Sequence, residues 1–141
     1  GKALENDLRG RGQTILELVS QVEAGSGQTV IDYRTRLENK LKEVLANTAI
    51  DESRILTEAA IFADKVAVDE ETVRLRSHLD QMNHMLTAGG AIGRKLDFLL
   101  QEMNRESNTI GSKCSDVRLA RIVVEIKAEL EKIREQTQNI E

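Results

Sequence analysis

Apolar side chains recur every three or four residues through most of this chain, a spacing typical of amphipathic α-helices. The stretch from Gly93 to Lys113 shows the pattern most clearly. On a helix at about 100° per residue, one side collects the apolar residues Ile92, Leu96, Leu99, Leu100, Met103 and Ile110. The opposite side collects Asp97, Gln101, Asn104 and Asn108, flanked by Arg94, Phe98 and Arg105. We therefore predict a helix with one buried side and a polar face that does more than contact water.

The same spacing predicts an all-α fold of five to six helices, with antiparallel hairpins and a long C-terminal helix. The first two helices are expected at about Lys2–Glu23 and Gln28–Ala46, because the segment Ala24-Gly25-Ser26-Gly27 should break a helix. A break of this length predicts an antiparallel helical hairpin over residues 1–48.

Two aspartates are expected to cap the next two helices. Asp51 precedes a helix of about Glu52–Val66, and Asp69 precedes one of about Glu70–Thr87. An apolar residue before each aspartate and another four residues after it match the hydrophobic staple.

Glycines should end the following helices. Gly89-Gly90 is expected to end the fourth helix and Gly111-Ser112-Lys113 the fifth, so that the sixth begins near Ser115. Residues 51–141 are thus predicted to be helical and to form a single α-helical domain with the first hairpin.

Composition narrows the class of protein. Charged residues make up 31% of the chain, aromatic residues 2%, and proline is absent, which excludes most β-sandwiches and barrels. No apolar run approaches the ~20 residues of a membrane span. The single cysteine, Cys114, fits a reducing cytoplasm and is expected to be a small semi-buried residue. A net charge of −4 argues against a protein held on nucleic acid by its overall charge, and neither DNA nor a membrane is an expected partner.

Two acidic residues and a histidine are candidates for chemistry. Glu102 and Glu106 are four residues apart on one helix, so both carboxylates can reach one divalent cation such as Mg²⁺ or Mn²⁺. Ordinary salt bridges across helices would explain the same spacing. His78 could ligate that cation or transfer a proton near neutral pH, or it could simply be a half-buried residue bonded to Glu71. His84 is expected at the surface.

Basic residues gather around these candidates. Between Ile92 and Arg121 the sequence has six basic residues and four acidic ones, so a local basic surface is possible despite the net charge. Phosphates and stacked bases are commonly held by arginine, lysine and exposed aromatic rings. The candidates for such contacts are Arg74, Arg76, Arg94, Lys95, Phe98, Arg105 and Lys113. Phe98 could equally be buried against another helix or subunit. No phosphate-loop, dinucleotide-binding, HExxH or CxxC motif is present.

One stretch also resembles a known family. The sequence GRKLDFLLQEMNRE at Gly93–Glu106, followed by NTIGSK, resembles the C-terminal signature of the YicC/YloC family of bacterial endoribonucleases. The resemblance extends from about Leu56 to Glu141. It includes the acidic lead-in Asp69-Glu70-Glu71, the stretch VRLRSHL ending at Leu79, and the tail ELEKIREQ.

The resemblance implies a metal-dependent endoribonuclease that uses Mn²⁺ or Mg²⁺ and binds RNA. Glu102 and Glu106, with Glu58 or Glu71, would then hold the cation, His78 would transfer protons or ligate it, and the arginines would bind RNA. The family also implies a further domain of similar size before this region, so that this chain alone is expected to be weakly active or inactive. Family members are thought to form ring-like hexamers, which implies a homo-oligomer. The alternative is a non-catalytic helical module for oligomerisation or RNA binding.

Overall fold

The computed structural model describes residues 1–46, 49–114 and 116–138, which form five helices and no strand. The helices are α1 (Lys2–Leu45), α2 (Glu52–Val66), α3 (Asp69–Ala88), α4 (Gly93–Lys113) and α5 (Val117–Gln138). The prediction of an all-α fold is confirmed. None of these helices combines the length and apolar character needed to cross a membrane.

The predicted hairpin over residues 1–48 is wrong, because α1 is one uninterrupted helix of 44 residues. Two of its glycines, Gly12 and Gly25, allow close helix packing, and neither breaks the helix. A Cβ on Gly25 would lie 2.6 Å from Leu119 Cδ2, and one on Gly12 would lie 2.8 Å from Met82 Cε. Each glycine costs ~1 kcal/mol of helix propensity, and the packing of α1 against α2, α3 and α5 offsets that cost.

Two other glycines of α1 offer a test of this explanation. A Cβ on Gly10 or Gly27 would meet no heavy atom within 4 Å. Gly10→Ala and Gly27→Ala should therefore each raise the free energy of unfolding by about 0.5–1 kcal/mol, since alanine is the better helix former. Chemical denaturation followed by circular dichroism measures the change. Gly25→Ala is the matched control and should not stabilise the protein. Equal gains at Gly25 and Gly27 would contradict the packing role of Gly25.

The first part of α1 forms a four-helix bundle with α3, α4 and α5. Each helix contacts two neighbours, in the cyclic order α1, α3, α4, α5. Neighbouring helices run antiparallel. Between α1 and α5, Arg11 pairs with Glu129 whereas the later Gly25 approaches the earlier Leu119. Between α3 and α4, Glu71 pairs with Lys113 whereas the later Arg74 pairs with the earlier Glu106. The core between them contains side chains that are almost completely buried, among them Leu8, Ile15, Leu75, Met82, Leu96, Met103, Ile110, Ile126 and Ile133.

The second part of α1 continues beyond this core and packs against α2. The rings of Tyr33 and Phe62 stack there, with centroids 4.0 Å apart and an interplanar angle of 5°. Asp51 caps α2 as predicted, since its side chain accepts a hydrogen bond from the Arg54 backbone N–H. Asp69 is not a cap, because it is already the first residue of α3.

The connections between the later helices are short. Gly89 and Gly90 end α3 as predicted, with φ values of 71° and 80° that favour glycine. The predicted end of the next helix at Gly111-Ser112-Lys113 agrees with the structure, in which α4 ends at Lys113, the last residue of that segment. The predicted start of the last helix at Ser115 lies outside the described residues.

Candidate functional site

The seam between α3 and α4 brings three candidate residues together. Leu75, Leu79 and Met82 of α3 are buried in the same core as Leu96, Leu99 and Met103 of α4. Residues next to these apolar stripes must therefore meet along the edge of the seam. His78, Glu102 and Glu106 each offer one possible ligand atom there, and the three atoms lie within 4.8 Å of one another. The sequence predicted all three residues, and the fold places them in one cluster.

Glu106 is the most buried member of the cluster, with only 5% of its surface exposed. Its Oε1 accepts a hydrogen bond of 2.8 Å from Arg74 Nε. Its Oε2 is buried and has no hydrogen-bond partner among the described residues. A buried carboxylate oxygen without a partner is costly, by several kcal/mol in apolar surroundings. This oxygen therefore has a strong reason to bind a cation, a proton or a water molecule.

The other two members are half-buried. His78 lies with its Nδ1 3.4 Å from Gln81 Nε2, so one edge of the ring is held by its own helix. The alternative interpretation, a bond from His78 to Glu71, has no counterpart in the hydrogen bonds of the described chain. Glu102 makes no ion pair with Lys95 or Arg105 within the same residues. Both side chains remain available to a ligand. His84, by contrast, is exposed as predicted.

Two predicted metal ligands lie outside this cluster. Glu58 is on α2, where it pairs with Arg54 at 3.1 Å, and α2 packs against α1. Glu71 is on α3, but two turns before His78, and its carboxylate lies 2.9 Å from the ammonium of Lys113. Sequence spacing placed Glu71 on the correct face of α3 but could not show that the end of α4 supplies its partner.

Glu71 and Lys113 form a structural contact at the other end of the seam. The Lys113 ammonium donates to Glu71 Oε1 and to the backbone carbonyl of Ala67, both at 2.9 Å. Burial by itself would raise the pKa of Glu71, but the hydrogen bond from Lys113, with the charges of Lys113 and Arg74, outweighs it and holds that pKa below its usual value. Lys113 thus joins the end of α4 to the junction of α2 and α3. Its predicted contact with RNA stays a prediction.

Two of the predicted RNA-binding arginines already have carboxylate partners. Arg74 bonds to Glu106 and approaches Glu71 at 3.9 Å. It therefore lies between the His78–Glu102–Glu106 cluster and the Glu71–Lys113 pair and contacts both. Arg76 points to α1, where it bonds to Ser20 and Glu23. The sequence did not single out Arg74 as a partner of Glu106, although its position one turn before His78 on the same face was the available signal.

The remaining basic candidates line the outer face of α4. Arg94, Lys95 and Arg105 are close to solvent and make no ion pair with a carboxylate of residues 1–46, 49–114 or 116–138. Phe98 lies among them with 61% of its surface exposed. We call these four residues the α4 basic face. Glu102 follows Phe98 by four residues and precedes Arg105 by three, so it lies on the same side of α4 as the basic face.

The amide-rich residues of α4 lie on the side that faces α5. Gln101 bonds to Asp97 within α4, and Asn108 accepts a hydrogen bond of 2.6 Å from Lys127 of α5. These amides therefore serve in part to join two helices, which the sequence did not show. Cys114 is half-buried as predicted, and burial raises the pKa of its thiol.

The protein is an all-α domain with a cluster of one histidine and two glutamates between two antiparallel helices. A family model described as "Endoribonuclease YicC-like, C-terminal" matches residues 22–141, so the chain belongs to that family and the resemblance is confirmed.

Two curated relatives match over the whole chain. "Probable endoribonuclease YicC" of Clostridioides difficile (strain 630) is 48% identical over 142 residues, which cover 100% of this chain and 48% of that protein. The protein with the same description from Haemophilus influenzae is 35% identical over 141 residues, again 100% of this chain and 48% of the relative. The chain thus spans about half the length of the curated relatives that it matches.

Proposed function

We propose that this chain carries the metal-dependent cleavage site of an endoribonuclease, centred on His78, Glu102 and Glu106. The observation that carries the proposal is the unpartnered, buried Oε2 of Glu106 within a cluster of three possible ligands. The descriptions of the two relatives as probable endoribonucleases support RNA as the substrate.

The cluster fits a small divalent cation. Ligands on opposite sides of such an ion, at ~2.1 Å from it, are about 4.2 Å apart. The three atoms lie within 4.8 Å of one another. Adjacent ligands of such an ion are ~3.0 Å apart, so each side chain would move by up to about 1 Å to bind it. Two carboxylates favour Mg²⁺ or Mn²⁺, and an imidazole nitrogen favours Mn²⁺ of these two. The proposed cofactor is therefore Mn²⁺ or Mg²⁺, held by Glu102 and Glu106, with His78 as the third candidate ligand.

The residues around the cation would have different roles in cleavage. A bound divalent cation would supply Lewis-acid stabilisation of the phosphate charge and acidify a nucleophilic hydroxyl. Arg74 would orient Glu106 by holding Oε1, so that Oε2 faces the cluster. If His78 is not a ligand, its imidazole would accept the proton from the attacking hydroxyl and return one to the leaving oxygen as the P–O bond breaks. Attack by water that displaces the ribose 3′-oxygen would leave a 5′-phosphate and a 3′-hydroxyl. Attack by the ribose 2′-hydroxyl would displace the 5′-oxygen and leave a 2′,3′-cyclic phosphate and a 5′-hydroxyl, so analysis of the product ends separates the two.

Metal binding by the purified chain tests the proposal without any activity measurement. Titration calorimetry should detect Mn²⁺ binding, and Glu106→Gln should weaken it by at least about 10-fold because the amide cannot supply a charged oxygen. Glu125→Gln is the matched control, since Glu125 is an exposed carboxylate on α5. Circular dichroism checks that both variants fold. Equal Mn²⁺ affinity in Glu106→Gln and the parent would contradict the proposal.

We propose in addition that the protein assembles with copies of itself. The supporting observation is that Ile31, Val44, Leu56 and Ile61 are more than half exposed on α1 and α2, outside the four-helix bundle. Apolar side chains in such number suit a protein–protein contact. A hexamer is the stoichiometry that the family resemblance suggests, and a non-catalytic assembly module is the alternative function if the metal test fails.

A further inference from the structure

We propose that Glu71 is a positioning residue of the metal site, which acts on Glu106 through Arg74. The inference rests on the proposed function, and it adds a residue that contacts none of the three candidate ligands. Its evidence is a row of charged side chains along the seam between α3 and α4, which ends at the cluster.

Four charged side chains alternate in sign along this row. At its far end, the ammonium of Lys113 lies 2.9 Å from Glu71 Oε1. The same oxygen of Glu71 lies 3.9 Å from Arg74 Nη2. Arg74 Nε in turn donates a hydrogen bond of 2.8 Å to Glu106 Oε1. A contact that fixes Glu71 is therefore passed by Arg74 to a proposed ligand of the cation.

Arg74 needs a second contact to hold one orientation. Its side chain is long and flexible and is 47% exposed, so a single orientation costs conformational entropy. A guanidinium is a planar fork, and a carboxylate near Nη2 restricts the rotation that one bond to Nε leaves free. The orientation matters because Arg74 occupies one oxygen of Glu106 and leaves the other, Oε2, for the cation.

Glu71 suits this role better than the other carboxylate near the same guanidinium. Glu70 Oε2 lies 3.8 Å from Arg74 Nη1, but the Glu70 side chain is 86% exposed. The Glu71 side chain is only 5% exposed, and the Lys113 ammonium holds it in place. Water screens the exposed pair, which contributes little. The buried carboxylate keeps one position, and its charge acts at a lower effective dielectric constant.

Folding stability alone does not explain a carboxylate at position 71. Its Oε2 is buried and has no hydrogen-bond partner among the described residues. A buried ion pair is often no more stabilising than apolar side chains of the same volume. Proteins commonly keep such locally costly groups where they shape a functional site. The position next to Arg74 gives Glu71 that function.

Titration calorimetry with Mn²⁺ and the purified chain tests the inference. Glu71→Gln should weaken Mn²⁺ binding by at least about 5-fold, somewhat less than the loss of about 10-fold or more that follows when a direct partner of a ligand is removed. Glu70→Gln is the matched control, since it removes the same charge at a similar distance from Arg74, and it should leave Mn²⁺ affinity unchanged. Urea denaturation is measured for each variant, because a purely structural role would change stability and leave the affinity of the folded protein unchanged.

A double-mutant cycle tests whether Glu71 acts through Arg74. Arg74→Lys keeps the positive charge but lacks the planar fork, so it should weaken Mn²⁺ binding by about 10-fold. Addition of Glu71→Gln to this variant should change the affinity by less than about 2-fold, because the orientation that Glu71 supports is already lost.

Three results would overturn the inference and leave the metal site standing. Parental Mn²⁺ affinity in Glu71→Gln would make the residue purely structural. An equal loss in Glu70→Gln would show an effect of charge alone, and full additivity in the cycle would show that Glu71 acts on the cation without Arg74. If the parent binds no Mn²⁺, or Glu106→Gln binds it equally well, the proposed function itself fails.

Discussion

His78→Ala should reduce RNA cleavage by at least about 100-fold, the lower end of the usual contribution of an acid–base residue. The imidazole lies in the same cluster as Glu102 and Glu106, and either role proposed for it, ligand or proton carrier, is lost with the ring. Cleavage is measured in full-length protein that contains this chain, with added Mn²⁺, because the chain spans about half the length of its relatives. Mn²⁺ affinity measured in parallel assigns the role. A loss of affinity identifies a ligand, and retained affinity with lost cleavage identifies proton transfer.

The other histidine provides the control for this experiment. His84 lies on the same helix, is exposed, and bonds to the backbone carbonyl of Asp80. His84→Ala should therefore cleave RNA at the parental rate. Sedimentation should give the same oligomer size for both variants. If His78→Ala cleaves normally, or if it loses activity only because it melts or dissociates, the catalytic role of His78 is wrong.

Lys113→Met should lower the free energy of unfolding by about 3 kcal/mol, at the lower end of the range for removing one partner of a buried ion pair. The Glu71 side chain is 5% exposed and the Lys113 side chain 32%, so the substitution leaves a buried carboxylate without its main partner. The Ala67 carbonyl loses a hydrogen bond as well. Urea denaturation near neutral pH measures the loss. The double variant Lys113→Met/Glu71→Gln removes the unpaired charge and should recover most of it. A double variant as unstable as Lys113→Met would contradict this explanation.

The same pair gives a pH dependence with a defined sign. The pKa of Glu71 is lower in the folded protein than in the unfolded chain, where a glutamate has a pKa of ~4.3. Its contribution to stability is therefore complete above that unfolded value and is lost as the pH falls through the lower, folded value. Glu71→Gln should show a weaker loss of stability on acidification than the parent.

Local sequence predicted the cluster because its members satisfy two local rules. Glu102 and Glu106 are spaced for one face of a helix, and His78 lies at the edge of the apolar stripe of α3. Both rules act within a single helix. The packing of α3 against α4 then follows from the short turn at Gly89-Gly90, so the cluster could be anticipated.

The errors concern residues whose role is set by distant partners. Gly25 looks like a helix breaker in the sequence, but its neighbour in space is Leu119. Lys113 looks like a free cation, but Glu71 and Ala67 hold its ammonium. Propensity and periodicity describe a residue and its own helix, whereas these roles depend on contacts between residues far apart in the chain. Sequence reasoning therefore identified residues that the fold brings into one cluster, and it misjudged the contacts around them.

The short connection between α3 and α4 has a consequence for how the site arises during folding. All three members of the cluster fall between His78 and Glu106, and the turn that joins their helices covers only residues 89–92. The entropy cost of closing the loop between them is therefore small. Their contacts join residues that are close in sequence, which favours early formation of the cluster during folding. During synthesis all three side chains of the cluster are present once α4 has emerged, before α5 closes the bundle. The cluster thus belongs to one helical hairpin, and substitutions in the α1–α2 extension are expected to leave its geometry unchanged.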